Sequence, residues 1–332
     1  MTEPTPRPAV RLAARYGPGL AVSGVIAMAA TFLSEHYGGP AMLFALLLGM
    51  AFHFLSLEGR CAEGIDVATR AVLRVGVALL GLRITVDQLA ALGWFAPVMV
   101  LLGVVATILF GMAVARLFRL PSQFGLLTGG AVAICGASAA LAISAVLPKH
   151  PTSERDTIFA VIGVTTLSTA AMVLYPALLR ALGMADHNVG FFLGATIHDV
   201  AQVVGAGYSV SAKAGDVATI TKLMRVAFLV PVIATLAMAY HSPDNAGRRR
   251  GLTLPWFLVA FVLLAALNSA GAVPTPVVDV FNQVSRWCLV IAIAALGMKT
   301  SLAALGALGW RPVALMVAET VVLAALVLIV VA

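Results

Sequence analysis

Three polar side chains stand close together in an apolar stretch near the middle of the chain, "GATIHDVAQVVGAG" at residues 194–207. Ionisable groups at membrane depth are costly and mark functional sites. On a helix His198 and Gln202 share one face because they are four residues apart, and Asp199 points about a quarter-turn away. Histidine titrates near neutral pH, so the stretch predicts a substrate or proton site with Asp199 as the partner of His198. A buried structural pair is the alternative.

A second segment, "GGAVAICGASAALAIS" at residues 129–144, concentrates glycine and small polar residues inside an apolar run. Small residues there can interrupt the helix around Cys135–Ser138, and an interruption in a bilayer is tolerated where the free backbone groups line a cavity. The free N–H groups of a half-helix favour an anion. Close helix packing through small residues is the alternative. The predicted substrate-binding residues are Cys135, Gly136, Ala137, Ser138, Thr196, His198 and Gln202.

A third candidate, Glu319, is a carboxylate in the middle of the last apolar segment. We expect His198, Asp199 and Glu319 to handle ion coupling, with H+ or Na+ as the coupling ion and no other cofactor. Bonding of Glu319 to a neighbouring helix is the alternative.

Enzyme chemistry has weak support in the sequence. Cys61, Cys135 and Cys288 show no CxxC spacing, so no metal site is expected. Walker A, HExxH and GxSxG patterns are absent, and we do not expect an enzyme. An intramembrane hydrolase with Cys135 as nucleophile and His198 as base is the alternative from another class.

The surrounding chain is predicted to be membrane-embedded. Of its 332 residues 61% are hydrophobic and 11% are charged, against roughly 25% charged in soluble domains. The long apolar blocks predict an all-α polytopic membrane protein with about eleven transmembrane helices. The basic residues lie mainly between these blocks, which fits membrane topology and not nucleic acid binding. The segments lie near 18–34, 41–57, 66–83, 95–118, 122–147, 157–181, 188–210, 222–241, 254–270, 278–298 and 310–332.

The orientation follows from the basic residues. With the N-terminus in the cytoplasm, twelve Lys and Arg fall in inner loops and six in outer ones, as the positive-inside rule requires. The "GRRRG" loop at 247–251 is the firmest anchor, and the C-terminus is expected in the periplasm. The six outer residues are Arg83, Lys149, Arg155, Lys213, Lys222 and Arg225.

Residues 65–94 and 281–310 align without a gap at a separation of 216, with ten identities in thirty positions. Arg70 matches Arg286, and both segments end in Gly-Trp. Chance similarity of Ala- and Leu-rich helices is the alternative. The two segments are seven spans apart, an odd number, so the copies are expected to run in opposite directions. Inverted repeats are typical of secondary transporters.

The two polar segments, with "GLRI" at 81–84 and "GMKTSL" at 297–302, resemble the YeiH-type sulfate exporter family of bacterial inner-membrane proteins. That family is similar to the bile-acid/sodium symporters and cation/proton antiporters. The resemblance implies two broken helices that cross at the bilayer centre, at Cys135–Ser138 and near Thr196–Gln202. It also implies a mobile core domain that moves cargo in elevator fashion beside a flatter scaffold domain.

The function expected from these observations is export of a small anion, sulfate or a sulfonate, with proton or sodium coupling. A cation/proton antiporter is the alternative in the same class. We expect residues 1–332 to form one transporter unit, with inverted-repeat arms at 41–118 and 257–332 and a broken-helix core at 122–210. Membrane lipid is an expected partner, and the sequence leaves open whether two copies form a homodimer.

One difficulty concerns symmetry. Neither broken segment has a counterpart at the separation of 216, and with eleven spans both segments run in the same direction. Either one segment is re-entrant or the symmetry is more complicated.

Overall fold

Every regular element in the described residues is helical. The computed structural model describes residues 8–37, 40–57, 59–83, 93–148, 150–240, 256–300 and 310–331. A π-helical stretch, Ala68–Val72, joins α4 to α5, and α5 continues into a 3-10 turn at Leu80–Arg83. The helices are α1 (Pro8–Tyr37), α2 (Ala41–Ala51), α3 (Phe54–Leu57), α4 (Ala62–Val67), α5 (Leu73–Leu79), α6 (Phe95–Leu117), α7 (Ser122–Ala133), α8 (Ala137–Val146), α9 (Ser153–Ala181), α10 (Asp186–Thr196), α11 (Val200–Val210), α12 (Ala212–Ala227), α13 (Leu229–Ala239), α14 (Trp256–Ser269), α15 (Thr275–Lys299) and α16 (Trp310–Val331).

Within these residues, six segments are long and apolar enough to cross a membrane. The predicted all-helical class is therefore confirmed, whereas the count of about eleven crossings stays a prediction. The six segments are Ala14–Tyr37, Phe95–Leu117, Arg155–Ala181, Ala212–Ala239, Thr275–Lys299 and Trp310–Val331.

The chain divides into two compact units. The first comprises Met1–Val86 and Phe257–Ser301, and the second Asp87–Trp256 and Leu302–Ala332.

In the first unit α15 packs antiparallel to the segment from α4 to the end of α5. Lys299 Nζ, at the end of α15, donates to Asp66 Oδ1 in α4 at 2.6 Å. Ser285 Oγ, earlier in α15, donates to the Gly76 carbonyl in α5 at 2.7 Å. These two aligned segments therefore run in opposite directions, and Arg83 lies at the far end of the pair from Lys299. Residues 84–92 and 301–309, which belong to the aligned segments, and the "GRRRG" loop lie outside the described residues.

In the second unit α7 and α8 form a helical hairpin. A side chain at Gly130 in α7 would overlap the Cδ1 methyl of Ile143 in α8. Phe124, in the first turn of α7, and Leu147, just after α8, line the same small pocket. The chain therefore turns back at residues Ile134–Gly136, and α8 returns to the end where α7 begins. We call α7, α8 and this turn the first hairpin and the turn its tip.

A second hairpin is formed by α10 and α11, with Ile197–Asp199 as its tip. Gly190 in α10 packs on Ala214, and Gly207 in α11 packs on Gly215, so both arms reach the first turn of α12. The end of α11 is also held by α9, because Arg180 Nη2 donates to the Ser209 carbonyl at 2.7 Å.

The two hairpins open at opposite ends of α9, which has 29 residues and a length of about 43 Å. Thr157, near the start of α9, shares a 2.6 Å hydrogen bond with Ser144 near the end of α8. Arg180, near the end of α9, holds the end of α11. The tips meet between these ends, where Gly136 packs on His198.

This geometry differs from the expectation that each of the segments 122–147 and 188–210 runs in one direction. Both segments are interrupted close to where the sequence predicts, and in both the chain reverses direction at the interruption. The difference has a physical reason: two apolar helices of 12 and 10 residues in series have the same hydropathy whether the chain reverses between them or continues.

Candidate functional site

The first tip depends on a glycine conformation. Gly136 has φ 66° and ψ −129°, a region that a residue with a Cβ adopts only under strain. A Cβ added there would lie 3.7 Å from the backbone carbonyl of His198, which is an ordinary contact. The backbone conformation, and not a lack of space, is therefore the reason for glycine at this position.

Arg225 in α12 lies where the C-terminal ends of α7 and α10 meet. Its side chain is buried, with 1% exposure. A guanidinium has five N–H donors, and here each has a carbonyl acceptor. The acceptors are the carbonyl oxygens of Val132, Ala133 (which accepts from both Nε and Nη2), Gly194 and Ile197. Arg225 therefore neutralises the negative ends of α7 and α10 and ties one hairpin to the other.

Lys222, one turn earlier on α12, is fully buried and contacts the same region. Its ammonium donates to the Ile134 carbonyl at 2.7 Å and to the Ile197 carbonyl at 2.9 Å. It thus makes one bond to each tip.

The sequence analysis assigned Lys222 and Arg225 to an outer loop, and that assignment is wrong. Both lie inside α12, which continues through α13 as the membrane-length segment Ala212–Ala239. The available signal was their spacing: a Lys and an Arg three residues apart share one face of a helix. Their carbonyl partners, 25 to 93 positions away, had no signature in the sequence.

The amino end of α11 is closed by the chain itself. Asp199 is its N-cap residue, and its Oδ1 accepts from the Ala201 N–H at 2.8 Å. Ser168 Oγ, from α9, accepts from the N–H groups of His198 at 3.2 Å and Asp199 at 3.0 Å. The free donors expected at this N-terminus are therefore largely taken.

The amino end of α8 is different, because Gly136 gives it no side-chain cap in the described structure. Ala137 is half-buried and Ser138 is exposed, so this end is open. Ser138 Oγ donates to the Cys135 carbonyl at 3.0 Å and lies 3.1 Å from Cys135 Sγ. Of the two predicted anion sites, this one has open donors.

His198 is fully buried at the second tip, with a partner for each ring nitrogen. Nδ1 lies 3.0 Å from the Val132 carbonyl, which can only accept, so Nδ1 carries a hydrogen. Nε2 lies 3.1 Å from Thr320 Oγ1, which is also 2.8 Å from the Met316 carbonyl. The Thr320 hydroxyl can donate to a neutral His198, or accept from a protonated one while donating to Met316. The ring is accommodated in both charge states.

Gln202 and Thr196 complete the second hairpin site, and both are buried. Gln202 Nε2 donates to Thr169 Oγ1 on α9 at 2.7 Å, while Gln202 Oε1 has no partner among the described residues. Thr196 Oγ1 donates within α10 to the Phe192 carbonyl at 2.7 Å. The Thr196 hydroxyl therefore has no hydrogen left to donate, whereas Gln202 Oε1 can still accept a hydrogen bond.

Glu319 is buried on α16, one residue before Thr320. Its Oε1 accepts from Thr128 Oγ1 in α7 at 2.8 Å. The other predicted site residues gather at the two tips, whereas Glu319 connects to them through Thr320 and through α7.

Neither metal binding nor hydrolysis gains support from this arrangement. In the part of the chain that is described, no three His, Cys, Asp or Glu side chains are grouped to hold a metal ion. The ring nitrogens of His198 contact Val132 and Thr320, and Cys135 Sγ contacts Ser138.

Membrane-length apolar helices, together with two apolar helical hairpins, define this protein as a polytopic helical membrane protein. It belongs to the family described as conserved hypothetical protein 698, whose model matches residues 18–316. The expected membership of a sulfate exporter family, and of the symporter and antiporter fold group, stays a prediction.

Close relatives are membrane proteins by name. A UPF0324 membrane protein of Chlorobaculum tepidum is 57% identical over 318 residues, covering 95% of this chain and 88% of the relative. A UPF0324 membrane protein of Rhizobium meliloti is 53% identical, covering 94% and 92%. The UPF0324 membrane protein TauZ of Paracoccus denitrificans is 54% identical, covering 94% of each chain.

Proposed function

We propose that this protein is a secondary active transporter that exports a small anion, sulfate or a sulfonate, by alternating access. The observation that carries the proposal is the charge balance where the tips meet. Lys222 and Arg225 are buried there beside one carboxylate, Asp199. The partial charges of two helix C-termini and two N-termini approximately cancel. The remaining excess of one positive charge favours an anionic cargo.

The cargo anion binds at the open amino end of α8. Backbone N–H groups of the first turn are the donors there, in the manner of helix N-terminal anion sites, and the Ser138 hydroxyl can join them by turning away from the Cys135 carbonyl. Gly136 and Ala137 leave this end uncovered, and Cys135 closes its buried side. Across the tip, His198 and Asp199, together with Glu319, handle the coupling ion, H+ or Na+, while Thr196 and Gln202 support the second tip.

The unit that contains both hairpins is the mobile, elevator-like part, and the first unit is the scaffold. Each hairpin opens towards one end of α9, so each can serve as the gate to one side of the membrane. This assigns one gate to each side without requiring the helices to cross.

The protein lies in the bacterial inner membrane with its N-terminus in the cytoplasm and its C-terminus in the periplasm. If both hairpins are re-entrant, Lys149 and Arg155 count as inner residues and Arg180 counts as an outer residue. Lys222 and Arg225 no longer count, because they lie inside a helix. The inner count of Lys and Arg rises from twelve to thirteen, and the outer count falls from six to three. The stronger asymmetry supports this topology. Labelling of Arg83→Cys and Lys299→Cys from opposite sides is the expected result, and labelling from the same side would contradict it.

Transport is tested with purified protein in proteoliposomes under an imposed pH gradient, using labelled sulfate and small sulfonates. We expect saturable flux of at least one of these anions, with chloride as the comparison ion and protein-free vesicles as the control. Absence of flux for every anion, with protein that remains folded by circular dichroism, would overturn the proposal.

A cation/proton antiporter is the second candidate because Glu319 and Asp199 are carboxylates close to the tips. In that case sodium, and not sulfate, would raise the melting temperature of the purified protein. The two ions are compared at equal ionic strength. A Cys135→Ser variant that retains transport would exclude the hydrolase alternative, in which this thiol is essential.

A further inference from the structure

Glu319 has an environment that the anion site does not explain. The side chain is fully buried, one oxygen accepts from Thr128, and the other, Oε2, has no partner in the described residues. A carboxyl oxygen left unpaired in a membrane interior is costly and needs a functional reason.

The described residues do not surround this carboxyl group with the oxygen ligands of a metal cation: Thr128 Oγ1 bonds to Oε1, and Oε2 has no partner. A side chain at Gly111 in α6 would overlap Glu319 Oε1, and Gly111 itself packs on Gly125 of α7. Hard cations in proteins are held by about six oxygen ligands. A proton needs no coordination shell, and on Oε1, the oxygen that faces Thr128, it gives the carboxyl group an O–H of its own.

Thr128 can accommodate either charge state of Glu319. Its hydroxyl lies 2.8 Å from Glu319 Oε1 and 3.0 Å from the Phe124 carbonyl, and it has only one hydrogen to donate. The hydroxyl donates to an ionised Glu319. When Glu319 is protonated, its own O–H can donate to Thr128, which then donates to Phe124.

On the helices that pack against α16, the charged side chains that the structure describes lie towards the helix ends and not beside Glu319. The sequence of α7 contains no titratable residue. The nearest titratable groups are at the tips, where Lys222 and Arg225 bind carbonyl groups and His198 binds Thr320. Among the described side chains, the charged or titratable residues of α6, α9, α10 and the start of α16 lie towards the helix ends, apart from Tyr175: Arg116, Arg155, Asp156, Arg180, Asp186, His187 and Arg311.

We propose that Glu319 is the proton-binding site that couples anion transport to the proton gradient. The proposal rests on the proposed function and specifies its coupling ion as H+. Consecutive residues of α16 contact both hairpins, because Glu319 binds Thr128 in α7 and Thr320 binds His198 at the second tip. Gain of a proton at Glu319 redirects the Thr128 hydroxyl to its own helix and reverses the bond between Glu319 and Thr128. The bond between α16 and the first hairpin then weakens because it no longer has a charged partner.

The test compares Glu319→Gln, which keeps the shape but cannot gain a proton, with Asp186→Asn, which removes an exposed carboxylate at the start of α10. In wild-type proteoliposomes a pH step of one unit supports about tenfold accumulation for each coupled proton. We expect Glu319→Gln to lose this accumulation while retaining exchange of labelled for unlabelled anion. Asp186→Asn should behave as wild type. Accumulation by Glu319→Gln at the wild-type level would overturn the proposal and leave the transporter assignment intact.

Infrared spectroscopy tests the site without transport. Titration of the wild type should produce a carboxylic acid carbonyl band that Glu319→Gln lacks and Thr128→Val shifts in frequency. If Glu319→Gln fails to fold, the Thr128→Val shift alone decides whether the band belongs to this site. A band unchanged in both variants, or a sodium-induced stabilisation that depends on Glu319, would overturn the proton assignment. Failure of all anion flux together with a normal Glu319 band would instead remove the proposed function alone.

Discussion

The two hairpins have the same construction but different tips. The first tip, Ile134–Gly136, contains no ionisable group except the Cys135 thiol, and its returning helix begins without a side-chain cap in the described structure. The second tip, Ile197–Asp199, is polar, and its returning helix is capped by Asp199. An open helix N-terminus can accept a ligand anion, whereas a capped one already has an anion. In the proposed function the first tip is therefore the cargo side, and the second tip positions the hairpins and takes part in coupling.

The helices that lead into the tips, α7 and α10, show no such difference at their carbonyl ends. Lys222 makes one bond to each tip, and Arg225 binds carbonyls of both hairpins. The same two cations therefore neutralise the C-terminal ends of α7 and α10. The two tips differ from each other at Gly136 and Asp199.

The largest expected effect on stability comes from removing Arg225, which binds both hairpins. Arg225→Met leaves five N–H···O contacts unmade and exposes buried carbonyls to an apolar side chain. We expect a loss of about 3–5 kcal/mol in the free energy of unfolding, measured by denaturant titration in detergent. Arg225→Lys, which keeps the charge with fewer donors, should lose less. Equal stability of Arg225→Met and wild type would refute the role of this residue as a common clamp.

A smaller effect is expected at the first tip. Gly136→Ala forces a residue with a Cβ into φ 66°, at a cost of about 1–2 kcal/mol. Anion affinity should fall as well, because the amino end of α8 is displaced. Gly24→Ala is the matched control, since its added Cβ meets no atom within 4 Å. If both variants melt at the same temperature, the strained turn is not required.

The smallest expected effects on stability come from variants at the amino ends of α8 and α11, and the two ends should respond differently. Asp199→Ala removes a cap and should cost about 1 kcal/mol, whereas Ser138→Ala should change the free energy of unfolding by less than about 0.5 kcal/mol. Ser138→Ala should nevertheless raise KM for the transported anion. A reversed pattern, with Ser138 important only for stability, would contradict the assignment of cargo to the first tip.

The sequence predicted the positions of the interruptions well. Glycine and small polar residues at 129–144 predicted the first break around Cys135–Ser138, and it occurs at Ile134–Gly136. The family resemblance implied the second near Thr196–Gln202, where His198, Asp199 and Gln202 cluster, and it occurs at Ile197–Asp199. These signals are local, because they reflect backbone freedom and the cost of polar groups in lipid.

The reversal at each break and the buried cations had no local signal. Reversal depends on contacts such as that between Gly130 and Ile143, and between Arg180 and Ser209. Lys222 resembled a loop residue because it stands at the edge of an apolar block, and only its bonds to Ile134 and Ile197 show that it is internal.

The central claim is that two re-entrant hairpins enter from opposite sides and meet at their tips. Its most direct test is side-specific thiol labelling of single cysteines in a variant without the three native cysteines. Arg119→Cys and Pro151→Cys, which flank the first hairpin, should react from one side of the membrane. His187→Cys and Lys213→Cys, which flank the second, should react from the other. Labelling of positions 119 and 151 from opposite sides would mean that the chain crosses the membrane between them, and the account of the site would fail.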